Sequence, residues 1–180
     1  MKARHLLPLL AALISSACAT VAVNVDYDTE RDFSVYRSFA LLPDPPETGN
    51  LRADNPLLQQ RIRAALAARL ELQGFEASPT PQLLVGYHAS TTQKLDVRTV
   101  DSRYGYGHWR HGGSLGVETE VRQYEEGALV IDIVDAKRDT LVWRGIGRLR
   151  LRKNPSPEQV TERVDVVVGE ILSRFPPEGR

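Results

Sequence analysis

The stretch from Glu126 to Arg152 constrains the fold more than any other part of the chain. Two apolar runs flank a short charged break at residues 135–139. Before the break, one set of alternating positions holds Leu129, Ile131 and Ile133, and the other holds Val130, Asp132 and Val134. After it, Leu141, Trp143, Leu149 and Leu151 share one parity, and Arg144, Arg148, Arg150 and Arg152 share the other. Because strand side chains alternate between faces, this pattern predicts a β-hairpin with one buried face, which contains Trp143, and one wet face.

Further strands are predicted on both sides of a long loop. Short alternating runs at residues 21–28 and 38–42 predict two strands, joined by a turn or short helix near residues 32–36. A longer extended run follows at residues 83–97, and residues 117–124 predict a strand that returns from the loop. Together with the hairpin, the segments from Leu83 to Arg152 predict a meander of about four antiparallel strands.

Two helices are marked by their caps. Asn55 and Pro56 suit a helix start, and Gly74 suits its end. Ser156 with Gln159 predicts a capping box for a second helix. Both helices carry one apolar stripe, so we expect an α+β fold: a two-layer domain with a mainly antiparallel sheet of about five to seven strands and two helices packed on one face. The length of 180 residues fits one such domain.

The N-terminus has the layout of a bacterial secretion signal. Lys2 and Arg4 precede an apolar stretch at residues 6–14, which is shorter than the roughly 20 residues of a spanning helix. Small residues then lead to Cys18, the only cysteine. We therefore expect a lipoprotein-type signal peptide at residues 1–17, acylation of Cys18 with lipid such as palmitate, and a single periplasmic domain at residues 18–180. By resemblance to enterobacterial sorting rules, Ala19 favours an outer-membrane anchor with the domain facing the periplasm.

Other interpretations of this segment remain open. Ser15 occupies the position where a lipidation signal usually has Leu, and Ser15 with Ala17 also suits an ordinary signal peptidase. The protein would then be soluble in the periplasm or secreted, or Cys18 would be a structural thiol.

The overall charge excludes one class of partner. Lys plus Arg and Asp plus Glu number 23 each, so the chain has no strong overall field. Nucleic-acid binding is therefore not expected.

Several short motifs occur in a particular order and spacing along the chain. They are Asp26-Tyr27-Asp28, Asp32-Phe33 with Tyr36, Asn55-Pro56, Leu70 to Phe75, Pro81 to Val85, Tyr124 to Asp132, Leu141 to Gly145, and Phe175-Pro176-Pro177. In this order they resemble a family of bacterial envelope lipoproteins, the domain of unknown function DUF4136. The resemblance covers nearly all of the mature chain, although Gln82 stands where the family often has aspartate. It implies an envelope lipoprotein and assigns no catalytic residue.

The glycine-rich loop at residues 103–116 holds the most distinctive side chains. Tyr104, Tyr106 and Trp109 are candidates for contact with a partner or ligand or for a position at a membrane interface; alternatively, they fold back on the sheet. His108 and His111 are weak metal candidates, because the glycines around them give no helix to align two imidazoles.

Charged residues of the hairpin offer the remaining candidates. Asp132 and Asp135 lie on opposite parities, so we expect structural roles: a cross-strand pair of Asp132 with Arg144 or Arg148, and a turn at Asp135. The arginine row makes Arg148 and Arg150 candidates for anionic headgroups or an acidic partner. The alternatives are that the row protects a strand edge, or pairs with Glu118 and Glu120 on an adjacent strand.

No pattern in the sequence gathers groups for a reaction. We therefore expect a non-catalytic structural or interaction module without a cofactor, held to the membrane by a lipid anchor and open to an envelope protein partner. The alternative is a small-ligand-binding domain that uses the loop from Arg103 to Gly116 as a lid.

Overall fold

The part of the chain that the structure describes forms one six-stranded sheet with two helices. The computed structural model describes residues 21–100 and 118–177. The strands are β1 (Ala22–Tyr27), β2 (Ser38–Leu41), β3 (Glu76–Ala77), β4 (Leu83–Val100), β5 (Glu118–Asp135) and β6 (Thr140–Arg150). The helices are α1 (Pro56–Leu72) and α2 (Pro157–Leu172), and a short 3-10 helix spans Phe33–Val35. The predicted α+β class is confirmed, because α1 and α2 pack against each other and α2 also contacts β6 and β1.

The sheet is mixed, and its order is β1-β6-β5-β4-β2-β3. β1, β6, β5 and β4 are antiparallel neighbours, whereas β2 pairs in parallel with both β3 and β4. The predicted meander of about four strands is wrong in number, since it has three. The segments at residues 117–124 and 129–134 form one strand, because β5 pairs with β4 without interruption from Glu118 to Asp135.

The predicted division of the central hairpin into a buried and an exposed face is confirmed along β5 but not at the start of β6. Leu129, Ile131 and Ile133 are buried, and Trp143 is fully buried as predicted. Leu141, predicted inside, is 48% exposed, whereas its neighbour Val142 is buried. The pairing register shifts between Ile133 and Val134, where a bulge places one extra residue in β6. On the turn side of the bulge, the residues of β6 therefore point to the opposite face of the sheet from the one that simple alternation predicts.

Helix α2 packs against β6 at two glycines. The predicted capping box is present: the Ser156 hydroxyl accepts from the backbone N–H of Gln159, whose side chain accepts from the backbone N–H of Ser156. A Cβ at Gly145 would collide with Trp143 and Ile171, and one at Gly147 would lie 2.8 Å from Ile171. The two glycines therefore make room for the helix.

One aromatic side chain joins the separate parts of the core. The ring of Phe175, just after α2, lies 5.4 Å from Trp143, 5.5 Å from Phe75 and 5.9 Å from Phe33, measured between ring centroids. These partners come from β6, from the α1–β3 connection and from the 3-10 helix. The contacts fix the C-terminal end of α2 to the sheet.

Strands β4 and β5 are much longer than the elements that cover them. Each has 18 residues, about 60 Å of extended chain, whereas the 17-residue α1 is about 26 Å long. β6 ends at Arg150, opposite Glu126, and beyond this level β4 and β5 continue as a two-stranded ribbon. We call this ribbon, Lys94–Val100 with Glu118–Tyr124, the arm.

Candidate functional site

The aromatic and histidine candidates belong to the segment at the end of the arm. Tyr104, Tyr106, His108, Trp109 and His111 lie outside the described residues, so their roles remain predictions. The segment joins Val100 to Glu118, which are paired across the arm. Its attachment points are therefore at the end of the arm farthest from the body of the domain.

The arginine candidates lie on the face of the sheet opposite the helices. Arg148 is half-buried between Ala22 of β1 and Ala128 of β5. Arg150 is exposed, and its guanidinium carbon lies 4.5 Å from the ring centroid of Tyr124, in a cation–π contact. The structure thus holds Arg150 at the base of the arm.

Two predicted ion pairs of this face have different outcomes. Arg144 donates to Asp132 through Nε and Nη2 at 2.5 and 2.7 Å, which confirms the predicted cross-strand pair. The predicted pairing of the arginine row with Glu118 and Glu120 is wrong, because these residues oppose Val100 and Arg98 of β4. β6 ends opposite Glu126 and does not extend beside them.

The arm exposes an apolar stripe that sequence reasoning missed. Leu95, Val97 and Val121 are 62%, 58% and 55% exposed, and Val97 is paired directly with Val121. They share the parity of Leu83 and Val85, which are buried under the helices. A comparison of strand length with helix length could have found the stripe, since the helices cannot cover the whole of an apolar strand face.

A buried carboxylate lies at the end of the sheet opposite the arm. Asp135 is 4% exposed and accepts hydrogen bonds from the backbone N–H groups of Lys137 and Arg138, both at 3.0 Å. It also accepts from the Tyr36 hydroxyl at 2.8 Å and from Arg138 Nη1 at 3.1 Å. Asp135 lies in the turn, as predicted. Its long-range hydrogen bond with Tyr36 was not predicted from the sequence.

The pKa values of this pair are both shifted away from neutrality. Burial by itself would raise the pKa of Asp135, but the hydrogen bonds from Tyr36, Arg138 and Lys137 outweigh it and lower the pKa below its usual range. Burial, followed by the bond to Asp135, raises the pKa of Tyr36 to about 12. A general acid or base near neutral pH needs a pKa close to 7, so these shifts do not prepare either group for catalysis.

Two open hollows of the described surface lie on the body of the domain. One of about 550 Å³ lies beside Tyr36 and Asp135, and one of about 420 Å³ lies between β2 and α1, lined by Leu41 and Arg63. Asp135 and Glu118 lie at opposite ends of β5, separated by 17 residue steps. The attachment points of the predicted lid are therefore on the order of 55 Å from the larger hollow.

Metal ligands do not converge within the part of the chain that the structure describes. No group of three or more His, Cys, Asp or Glu side chains there is able to hold a metal ion. His88 is exposed on the open face of the sheet, opposite Val130. Among the described helices, neither α1 nor α2 is long and apolar enough to cross a membrane.

The fold and surface define a two-layer α+β domain with a projecting β-arm. Residues 23–177 match the family described as domain of unknown function (DUF4136). The chain belongs to this family, as the sequence motifs predicted. No curated protein sequence matches the chain closely.

Solved structures with low sequence identity share the fold. A PDZ domain protein from Parabacteroides distasonis is 16% identical with a TM-score of 0.51 over 89% of this chain; the match spans only 37% of that protein. A PelC dodecamer from Paraburkholderia phytofirmans is 9% identical with a TM-score of 0.50, and the match covers 86% of this chain and 95% of PelC. At such identities the likeness shows the fold alone.

Proposed function

We propose that this protein is a lipid-anchored module of the bacterial cell envelope that works through contacts and carries out no reaction. One observation carries the proposal: the apolar arm extends beyond the body of the domain, where no described helix or loop covers its stripe. The acidic side chains that the hairpin pattern singled out, Asp132 and Asp135, are both engaged in structural bonds. Among the described residues, the exposed apolar surface of the arm is therefore better suited to contact than the acidic groups are to chemistry.

The anchor in this proposal is Cys18. The signal-like segment at residues 1–17 precedes it, and only two residues separate it from Val21, where the described structure begins. A lipid chain at Cys18 would therefore hold the domain close to the bilayer. We place the anchor in the outer membrane, with the domain facing the periplasm.

Protein partners are part of the proposal. The PelC likeness supports it only in part, since that protein forms a dodecamer with a domain of the same fold. The partner of this chain is accordingly another envelope protein or a second copy. We expect the partner to contact the segment at the end of the arm and the arginine-bearing face of the sheet at the base of the arm, where Arg150 lies.

The small-ligand alternative has weaker support. A lid needs to reach the pocket it covers, and the segment of 17 residues between Val100 and Glu118 spans at most about 30 Å out and back. The hollow beside Asp135 is farther than that from its attachment points. Native mass spectrometry of the protein purified from the envelope would favour the ligand alternative if a small molecule remained bound.

The anchor is tested by labelling cells with radioactive palmitate. We expect label in the wild-type protein and none in Cys18→Ala, with the variant leaving the membrane fraction. Ser15→Ala is the matched control and keeps both label and fractionation. An unlabelled wild-type protein whose fractionation is the same as that of Cys18→Ala would remove the anchor from the proposal.

The partner is tested by crosslinking in cells. A photoreactive amino acid at Tyr106 or Arg150 is expected to capture an envelope protein, identified by mass spectrometry. The same group at Lys137, at the opposite end of the sheet, is the control and is expected to capture several-fold less. Equal yields from all three positions would contradict a specific contact at the arm.

A further inference from the structure

We infer that the arm lies on the surface of the bilayer that holds the anchor, with the apolar stripe of Leu95, Val97 and Val121 in the lipid interface. The inference rests on the proposed acylation of Cys18. It adds an occupant for the stripe, a zwitterionic lipid surface, and an orientation for the whole domain.

The N-terminal end of β1 points in the same direction as the arm. Ala22 pairs with Arg148, Arg148 with Ala128, and Ala128 with Ser90, so these four residues form one row across the sheet. β4 runs from this row toward the arm. The chain before Ala22 leaves β1 on the same side of the row.

The arm reaches farther than the anchor. Four residue steps separate Cys18 from Ala22, so Cys18 extends at most about 14 Å beyond the row. Lys94, the first arm residue of β4, is also four steps beyond the row, and Val100 is ten steps beyond it. The arm therefore extends about 20 Å past the farthest level that Cys18 reaches.

If the strands were perpendicular to the membrane, a bilayer at the level of Cys18 would therefore overlap the arm. The ribbon is not suited to cross the hydrocarbon core, because the outer edges of two paired strands leave backbone N–H and C=O groups unsatisfied in lipid. It also carries charged residues along its length. The arm is accordingly expected to lie along the surface and to place its apolar face in the interface.

The charge of the arm indicates which lipid surface it suits. Three basic residues are balanced by three acidic ones: Lys94, Arg98 and Arg122 against Asp96, Glu118 and Glu120. A neutral ribbon gains little from anionic headgroups, whereas interfacial binding still increases with buried apolar area. We therefore expect contact with zwitterionic lipid that does not depend on salt.

A fluorescent probe on the arm tests the inference in the full lipidated protein. Cys18 is the only natural cysteine, so once its thiol carries the lipid, Val97→Cys supplies a single free thiol for an environment-sensitive nitrobenzoxadiazole label. The protein is reconstituted in phosphatidylcholine vesicles, with or without a phospholipid that carries a nitroxide high on its acyl chain. We expect blue-shifted emission and quenching by the nitroxide, unchanged between 0.05 and 0.5 M salt.

Matched positions separate lipid contact from other causes of quenching. Val121→Cys lies opposite Val97 and is expected to behave like it, which keeps the test valid if one variant misfolds. Lys94→Cys is on the other face of the same strand, and Lys137→Cys is at the far end of the sheet; both are expected to be quenched several-fold less.

The outcomes distinguish this inference from the proposed function. One outcome is that mass spectrometry shows a lipid on Cys18 while the label at position 97 is quenched no more than the label at position 137. The anchor then stands and the inference is overturned. A domain that lies on the membrane with its β1 edge would give this result. If Cys18 carries no lipid, the proposed anchor fails and the inference fails with it. A blue shift at Val97 that depends on protein concentration, without quenching by the nitroxide, would show that a second copy covers the stripe and would also overturn the inference.

Discussion

At the scale of single residues, Asp135 shows how one side chain serves both local and distant structure. Its Oδ1 atom accepts from two backbone N–H groups of its own turn, and its Oδ2 atom accepts from the hydroxyl of Tyr36, 99 positions away. Turn chemistry alone makes aspartate a good choice at this position. The contact with Tyr36 explains why the carboxylate is buried and also ionised.

The stability of the protein is expected to depend on Asp135 in acid. Because the pKa of Asp135 is lowered on folding, its carboxylate stabilises the fold above the ordinary value of about 4, and this stabilisation is lost as the pH falls from about 4 toward the lower folded pKa. Asp135→Asn is expected to lower the free energy of unfolding by about 1–3 kcal/mol at pH 7. Urea titrations followed by tryptophan fluorescence are expected to show this deficit shrinking below pH 4.

Asp139→Asn is the control for this experiment. Asp139 is exposed in the same turn and has a φ of +52°, a conformation that asparagine also adopts readily. It is expected to change the stability by less than about 0.5 kcal/mol. A deficit in Asp135→Asn that stays constant from pH 7 to pH 3 would contradict the assignment.

Tyr36 is expected to produce the opposite dependence in alkali. Since its pKa is raised to about 12, the neutral hydroxyl stabilises the fold below pH 10, and the effect is lost as the pH rises through about 12. Tyr36→Phe is expected to cost about 1–2 kcal/mol at pH 7 and to flatten the loss of stability between pH 10 and pH 12. A double-mutant cycle with Asp135→Asn measures the coupling, and additive effects would show that the bond is not energetically important.

At the scale of elements, the distance between α2 and β6 is set by two glycines. Gly145 and Gly147 lie on the sheet face that the helix covers, and Ile171 occupies the space where their side chains would be. Valine-rich α2 has little intrinsic preference for helix and depends on this burial. Close packing on β6 is thus a condition for the helix itself.

A methyl group at Gly145 is expected to destabilise the protein. Gly145→Ala forces Trp143 and Ile171 apart, at a cost of about 1–3 kcal/mol or more. Gly169→Ala, inside α2 with nothing within 4 Å of the new Cβ, is the matched control and is expected to stabilise by about 0.5–1 kcal/mol. Thermal unfolding measured by circular dichroism checks both, and equal melting temperatures for the two variants would contradict the packing argument.

At the scale of the whole molecule, the protein consists of a packed body and an arm. The loop between β2 and α1 marks the boundary: Asn50 donates to Thr91 at 2.8 Å, and Arg52 pairs with Glu125. Beyond these contacts, β4 and β5 pair with each other and with no other described strand, and the side chains of the apolar stripe are exposed. The body is therefore expected to fold without the arm.

Replacing the arm tests this division. A variant in which residues 94–124 are exchanged for an Asn-Gly turn joins Gln93 to Glu125, which are paired in the sheet. We expect a melting temperature within about 5 °C of the wild type, because few buried contacts are removed. The near-ultraviolet circular dichroism of Trp143 serves as the control for the core, and loss of cooperative unfolding would show that the arm is part of the folding unit.

Local signals predicted most of the elements. The caps at Asn55 and Ser156 fix where the helices begin, and the alternation of Leu129, Ile131 and Ile133 identifies the buried face of β5. The exposed position of Leu141 was missed, because a bulge depends on how two strands pair and has no clear mark in the sequence. The bond from Tyr36 to Asp135 was missed for the same kind of reason, since it joins residues far apart in the chain.

The two-layer class, the helix starts and the family were predictable from the sequence, because capping, periodicity and motif order are local properties of the chain. The arm, and the row that relates it to the start of β1, depend on tertiary pairing and were not predictable in this way. Strand pairing brings distant segments into register, and the shorter helices leave part of that paired surface uncovered. The exposed apolar stripe of the arm is therefore a consequence of unequal lengths, which becomes visible once the elements are assembled.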